Sequence, residues 1–261
     1  MKVVFIGAGN VATHLAQALQ GQGYDICQVY SRTDTSAKTL AALLHTAYTS
    51  DIAAIDREAD IYIYSVSDSV LPEIAGKLGV PGALHIHTSG STDMNVFQGY
   101  ADNYGVLYPL QTFSKNKPVD FSVIPLLCEA NNDFAKERLL TMASCLSESI
   151  YPCDSESRRK LHLSAVFVCN FVNHLYEVGA ELAGDSGLPV EVLYPLIQET
   201  ADKIKSLSPY EAQTGPAVRN DRNIIDKHLA MLEGKRNLSG LYEMLSEDIF
   251  SVHRITSNNK K

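Results

Sequence analysis

The sequence predicts an α/β fold in which a parallel sheet is followed by an all-helical domain. Three observations predict it. Short β-branched runs alternate with helical patterns over roughly the first 150 residues, the signature of βαβ units. Glycines punctuate the first strand-to-helix turn, at Gly7 and Gly9. From about Ser155 strand signals vanish and only helical stretches follow. A chain of 261 residues has length for two domains, expected at 1–152 and 153–261.

The elements follow in order. Residues 2–6 (KVVFI) form a buried strand ending in glycines, and VATHLAQALQG repeats Val11, Leu15, Ala18 and Leu19 at helical spacing. A strand at Asp25–Tyr30 precedes a helix carrying Leu40, Leu43 and Leu44, and a short strand lies near Tyr48. Ala59–Val66 is a further buried strand with its helix at Leu71–Leu78, and Gly82–His87 begins a fifth strand. Strands near Val106, at Val123–Cys128 and at Ser149–Cys153 continue the series, with an amphipathic helix at Asp133–Leu146. The second half holds helical stretches at about 155–183, 190–206, 221–232 and 238–253, and Pro195 predicts a kink or a division in the second of them. In the last stretch Leu238, Leu241, Leu245, Ile249 and Val252 share one face, which serves either as core or as a dimer seam; a homodimer is the expectation.

Composition narrows the function. An apolar share of 45% with 20% charged residues is that of a folded globular chain. Thirty acidic against twenty-two basic residues give a net charge of −8 with no basic block, so neither nucleic acid nor an anionic membrane surface is expected as a partner. Five cysteines at Cys27, Cys128, Cys145, Cys153 and Cys169 show neither pairing nor metal-ligand spacing, so no metal is expected and a reducing cytoplasm is the expected location. The apolar run that opens the chain is too short for a signal peptide or membrane span.

Gly7-Ala8-Gly9-Asn10-Val11-Ala12 is G-x-G-x-x-A placed between the first strand and the first helix. Gly7 permits the tight turn, Gly9 lets backbone approach a pyrophosphate, and Ala12 allows close packing of helix on strand. The amides of Asn10 and Val11, at the positive end of the helix, supply hydrogen bonds to the phosphates, and the domain is therefore expected to be Rossmann-like. NAD sites place an acid at the end of the second strand; here Ser31-Arg32-Thr33 stands there instead. A guanidinium attracts the 2′-phosphate that a carboxylate would repel, and flanking hydroxyls add donors, so the expected cofactor is NADP(H). Asp34 lies beyond the arginine, where it can cap the next helix.

Other strand ends should face the same crevice. Val66 and Ser67, within Ser65-Val66-Ser67-Asp68, are placed under the riboses. His87-Thr88-Ser89-Gly90 clusters donors at the nicotinamide end: Thr88 and Ser89 are candidate cofactor contacts and His87 a candidate substrate contact. Tyr108–Phe113 is expected to add a wall to the pocket, while Asp68 and Gln111 are read equally well as turn residues.

GAGNVA, the SRT after the second strand, HTSG, YPLQTF, HLSAVFVCNF and TGPAVRND together resemble a family of NADP oxidoreductases that pair a Rossmann-like domain with a helical domain of unknown function. That family lies within the superfamily resembling 6-phosphogluconate dehydrogenase, pyrroline-5-carboxylate reductase and the deazaflavin-dependent NADP oxidoreductases. The resemblance covers nearly the whole chain and implies a helical domain like the C-terminal one of 6-phosphogluconate dehydrogenase. It hands over no substrate, because fold does not determine chemistry.

The stretch from Ser155 is mostly apolar, and at helical spacing Ser155, Arg159, His162, Asn170, Asn173 and Glu177 fall within a band of roughly 80°. Such a stripe must meet water or find partners. Facing the sheet, it would complete a substrate pocket with His162 as general acid or base and Asn170 orienting a carbonyl or imine; facing the bundle, it would only hydrogen-bond there. The β-hydroxyacid dehydrogenases of the superfamily carry a catalytic lysine one turn before an asparagine, but Val166 stands there and Lys160 falls on another side, which speaks against that route. In TGPAVRND, Arg219 is a candidate anion contact on a substrate, Asp221 an equally good N-cap, and the role of His228 is open. The expected activity is an NADP(H)-dependent oxidoreduction of a small carbonyl- or imine-containing substrate; the competing expectation is a non-catalytic NADPH-sensing module acting through a protein partner.

Overall fold

The computed structural model describes residues 1–235 and 237–258. The chain forms two compact units, Met1–Tyr176 and Glu177–Lys261.

The first unit is built on an eight-stranded sheet. Its strands are β1 (Lys2–Ile6), β2 (Asp25–Tyr30), β3 (Ala47–Thr49), β4 (Ile61–Tyr64), β5 (Leu84–His87), β6 (Asn103–Pro109), β7 (Leu126–Ala130) and β8 (Ile150–Pro152), in spatial order 3-2-1-4-5-6-7-8. Adjacent strands from β3 to β6 run parallel, which requires crossover segments. The helices α1 (Asn10–Gly21), α2 (Asp34–Leu44) and α3 (Leu71–Leu78) are three of them. α4 (Asp133–Leu146) joins β7 to β8 and has the bounds that its periodicity predicts. Strand alternation divides the core in two. Val3 and Phe5 face a cluster with α1, α2 and α4, whereas Val4 and Ile6 face one with Tyr62, Tyr64 and α3. β1, β4 and β5 are buried on both faces, as the continuous apolar runs require.

The sheet departs from a wholly parallel one at its far edge. β7 pairs antiparallel with β6, in register Gly105 with Ala130 through Pro109 with Leu126, and β8 follows β7. The segment between β6 and β7 contains one short 3-10 turn, Phe121–Val123, and no crossover helix. The chain reverses here, whereas β5 and β6, also joined by a segment with only a 3-10 turn, at Met94–Phe97, stay parallel.

The helical stretch after β8 is continuous but not uniformly α. α5 (Ser155–Ala165) passes into a π turn at Val166–Phe171 and then into α6 (Val172–Asp185), within which the boundary between the units falls. A π turn closes i to i+5 hydrogen bonds and takes more residues per turn, so a phase counted at 100° per residue is lost across it. The single polar band from Ser155 to Glu177 therefore does not exist as spacing implies. At the start of α5 it is Arg158, not Arg159, that is buried: Arg158 is 0% exposed, while Arg159 forms an exposed pair with Asp93.

Arg158 pins α5 to the sheet. Its Nη1 pairs with Glu129 on β7, and its Nη2 donates to the Thr92 carbonyl at 2.6 Å and to Ser155 Oγ at 3.0 Å. Ser155 Oγ in turn donates to Glu129 Oε2 at 2.7 Å and accepts from the Met94 amide at 3.0 Å. A buried guanidinium with its carboxylate removed, or the reverse, is left uncompensated in a medium that solvates charge poorly.

The second unit contains α7 (Tyr194–Lys203), the short α8 (Pro209–Ala212), α9 (Arg222–Met231) and α10 (Leu238–Asn258). The predicted interruption near Pro195 takes the form of a 3-10 turn at Val190–Leu193, with the proline in the first turn of α7, where its missing N–H has no intrahelical partner to lose. Among the described residues of this unit only Ala217, Ile225, Leu232 and Leu238 are buried. No helix among the described residues is long and apolar enough to cross a membrane.

Arg158→Ala is expected to lower unfolding free energy by about 3 kcal/mol, as loss of one member of a buried pair does. Arg159→Ala, one residue on and exposed, should cost less than about 1 kcal/mol. Urea denaturation of the two variants measures the difference, and equal losses would remove Arg158 as the anchor.

Candidate functional site

Two adjoining cavities open in the first unit, on either side of the N-terminus of α1. The first, of about 370 Å³, is bounded by Gly7–Gly9, by Tyr30–Thr33 and by Ser65–Ser67. Gly7 has φ +115°, and a Cβ there would lie 2.2 Å from the Ser65 carbonyl oxygen, so only glycine passes between β1 and β4. The turn is held by the Gly7 amide on the Tyr30 carbonyl and by the Ser65 amide on the Ile6 carbonyl, both at 2.8 Å. Gly9 faces open space instead, with nothing within 4 Å of an added Cβ.

The end of α1 is prepared for an anion. No side chain caps it and its first turn holds no acidic residue. The Asn10 side chain is committed elsewhere, donating to the Phe113 carbonyl at 2.7 Å, so its contribution to a phosphate is its amide. At the other end of the cavity Ser31, Arg32 and Thr33 lie together. Thr33 Oγ1 donates to Ser36 Oγ at 2.8 Å, and Arg32 is exposed with no ion-pair partner among the described residues. Lys115 also lines this cavity. It sits in a loop without periodicity, so no sequence signal marks it. An uncapped helix end, a glycine cradle and two cations fit a dinucleotide bearing an additional phosphate.

The HTSG loop is arranged differently from its expected roles. His87 is fully buried, with its ring 5.8 Å from that of Phe97, so in this conformation it does not line a cavity and cannot touch a substrate. Its Nδ1 accepts from the Ser89 amide at 3.2 Å, and its Nε2 has no hydrogen-bond partner among the described residues. Burial, with the Arg158 charge second, holds its pKa down to about 3. Thr88, also buried, donates to Ser65 Oγ at 3.1 Å. Ser89 Oγ accepts from the Ser91 and Thr92 amides at 3.1 and 2.9 Å. These hydroxyls are spent on holding the loop, and Ser91 ties it to Asp68 beyond β4. Val66 and Ser67 do line the first cavity.

The second cavity, of about 510 Å³, runs from Asn10 and Val11 past Tyr108 and Phe113 to His162 and Asn170. Tyr108 at the end of β6 and His162 on α5 meet, Oη to Nδ1, at 3.0 Å with their rings edge-on. Burial raises the Tyr108 phenol above its ordinary pKa, and the charges that act on it are Arg158, Asp68 and Cys169. Gly90 makes the meeting possible: a Cβ there would come within 2.6 Å of His162 Nδ1 and 2.9 Å of Tyr108 Cζ. Asn170 lies in the π turn, exposed on the same cavity and without a hydrogen-bond partner among the described residues. Lys160 instead pairs with Glu156 in solvent, on the side that its spacing predicts.

The remaining candidates belong to the second unit. Arg219 is exposed in the turn before α9, and Asp221 accepts from the Ile224 amide as the N-cap of that helix. His228 Nδ1 lies 2.7 Å from Tyr242 Oη.

Comparisons with known proteins agree with this architecture. Residues 2–88 match a family described as NADP oxidoreductase, coenzyme F420-dependent, and residues 124–249 match a domain of unknown function, DUF2520. A solved structure described as a putative NADP oxidoreductase from Bacteroides fragilis is 47% identical over 96% of this chain and 98% of its own, with a TM-score of 0.92. A 1-pyrroline-5-carboxylate reductase from Streptococcus pyogenes is 14% identical over 96% and 98% of the two chains, with a TM-score of 0.65. An imine reductase from Myxococcus stipitatus, solved in complex with NADP+, is 16% identical over 99% and 95%, with a TM-score of 0.62. At these last identities the likeness is one of fold. The comparison with curated proteins finds no match.

Because His87 is neutral when folded and protonated when unfolded at mildly acid pH, the unfolded chain binds the extra proton there. Its contribution is intact above about pH 6.5 and is lost as pH falls from there toward about 3, at roughly 1.4 kcal/mol per unit. Urea unfolding at stepped pH measures the slope, and in NMR the His87 ring should not titrate between pH 5 and 8. A midpoint near 6.5 for that ring would contradict its burial.

Proposed function

Since this chain belongs to the family of the Bacteroides fragilis NADP oxidoreductase, we propose that it is an NADP(H)-dependent oxidoreductase acting on a small carbonyl- or imine-containing substrate. The observation that carries the proposal is the pair of cavities sharing the α1 N-terminus, one fitted to a phosphorylated dinucleotide and the other holding an acid–base pair. When bound, NADPH supplies the hydride.

The chain's own residues do the rest. The amides of Asn10 and Val11, beside Gly7 and Gly9, receive the pyrophosphate. Ser31, Arg32 and Thr33 receive the 2′-phosphate, with Lys115 adding charge at the same cavity. Val66 and Ser67 line the ribose path. Thr88 and Ser89 act through the loop that they hold, and that loop carries Gly90. Asn170 orients the substrate's carbonyl or imine, and His162 serves acid–base exchange. We assign residues 1–152 to cofactor binding and 153–261 to substrate binding and dimerisation, with Arg219 held as a candidate anion contact.

A homodimer is part of this proposal. Apolar residues such as Leu196, Met231, Met244 and Ile255 are more than 55% exposed in a unit with four buried side chains among the described residues, and such a surface is covered by a second apolar surface in a stable protein. Sedimentation should give twice the chain mass; a monomer at micromolar concentration would remove the dimer.

The functional test is consumption of NADPH with 1-pyrroline or pyruvate as probes, alongside NADPH binding followed by its fluorescence. Arg32→Ala should weaken NADPH binding about tenfold or more and leave NADH binding within about twofold. Equal losses would overturn the preference for NADP. Tight NADPH binding without turnover on any carbonyl or imine would overturn the enzymatic reading in favour of a sensor.

A further inference from the structure

Reduction of C=O or C=N needs a proton as well as a hydride, and the second cavity limits where that proton can come from. Among the described residues lining it, and apart from the weakly acidic alcohols of Thr112 and Ser164, only Tyr108, His162 and Cys169 carry an ionisable side-chain hydrogen. The Cys169 thiol has no hydrogen-bond partner among the described residues from which to recover a proton, whereas Tyr108 and His162 are joined Oη to Nδ1.

Building on the reading above, we propose that Tyr108 is the group that protonates the substrate's heteroatom and that His162 reloads it. Two features of the fold support a constructed pair over a chance contact. The residues are 54 positions apart and come from different elements, the end of β6 and the last turn of α5. Their meeting also depends on the absence of one side chain, at Gly90, which an alanine would push into the imidazole. Arg158, one turn before His162, fixes α5 where this contact is made. Burial keeps the phenol protonated at neutral pH, so the proton is there to give.

The step balances as follows. As the substrate carbon accepts the hydride, the π pair of its double bond moves to the oxygen or nitrogen. That atom takes the proton from Tyr108 Oη, and Oη takes the Nδ1 proton of the imidazolium form of His162. His162 is left neutral with its hydrogen on Nε2, and its Nδ1 regains a proton from solvent. The substrate gains one hydride and one proton, a two-electron reduction, and both side chains return to their starting forms. Tyr108 is thus the catalytic residue of the pair. His162, acting through it, is a positioning and proton-supplying residue.

The test uses the full-length protein and Tyr108→Phe, His162→Gly and Gly90→Ala. In the cofactor-free protein labelled with 15N-histidine, the His162 signal, identified by its loss in His162→Gly, should move its Nδ1 shift in Tyr108→Phe. A signal indifferent to that substitution overturns the coupling. With NADPH and 1-pyrroline or pyruvate, Tyr108→Phe should lower kcat about 100-fold with KM within about threefold, while NADPH binding is unchanged. Gly90→Ala, which alters neither residue's chemistry, should lower kcat about tenfold. His162→Gly should lose activity that added imidazole restores, a rescue that loss of packing alone would not show. Turnover in Tyr108→Phe above about one third of wild type overturns this inference and leaves the hydride-transfer reading standing. Failure of the wild-type protein to turn over either probe, with NADPH bound, overturns both.

Discussion

A single buried guanidinium orders the side of the first unit where Tyr108 and His162 meet. Arg158 has no exposed surface, and its charge is met by Glu129 on the antiparallel strand, the Thr92 carbonyl after β5 and Ser155 on its own helix. Three elements distant in sequence are therefore held to one point by a group that cannot be left unmatched. The same charge, after burial itself, keeps His87 neutral. One turn along α5 stands His162, so the ion pair also sets how far that imidazole reaches toward Tyr108.

The first cavity depends on a different economy of backbone. α1 begins without a side-chain cap, and its exposed amides are left for a ligand. Asn10 and His14 on α1 hold the carbonyls of Phe113 and Ser114, which ties the wall of the second cavity to the helix whose N-terminus borders the first. The two cavities thus share one rigid element.

Much of the fold was legible, because burial on both faces of a central strand forces a continuous apolar run and a crossover helix forces a periodic one. The bounds of α3 and α4, and the glycine turn before α1, follow from such local rules. The reversal at β7 did not show, since the segments before β6 and before β7 both lack an α-helix, and yet the first gives a parallel pair and the second an antiparallel one. The polar band on α5 misled for a similar reason: a π turn at Val166–Phe171 breaks the angular count, and the count alone could not choose between adjacent arginines. His87 lay in the right loop but on its buried side, a distinction that alternation along so short a strand does not make.

What the sequence by itself determined is whatever depends on neighbours along the chain: the alternation of strands and helices, the glycine cradle with its uncapped helix end, and an arginine where an NAD site would hold an acid. The tertiary structure alone decided what depends on meetings across the chain. Tyr108 reaches His162, Gly90 clears the space between them, Lys115 joins Arg32 at one cavity, and Arg158 is the arginine that is buried. Those contacts are made through space by residues whose local surroundings carry no trace of their partners, and only packing brings them within hydrogen-bond distance.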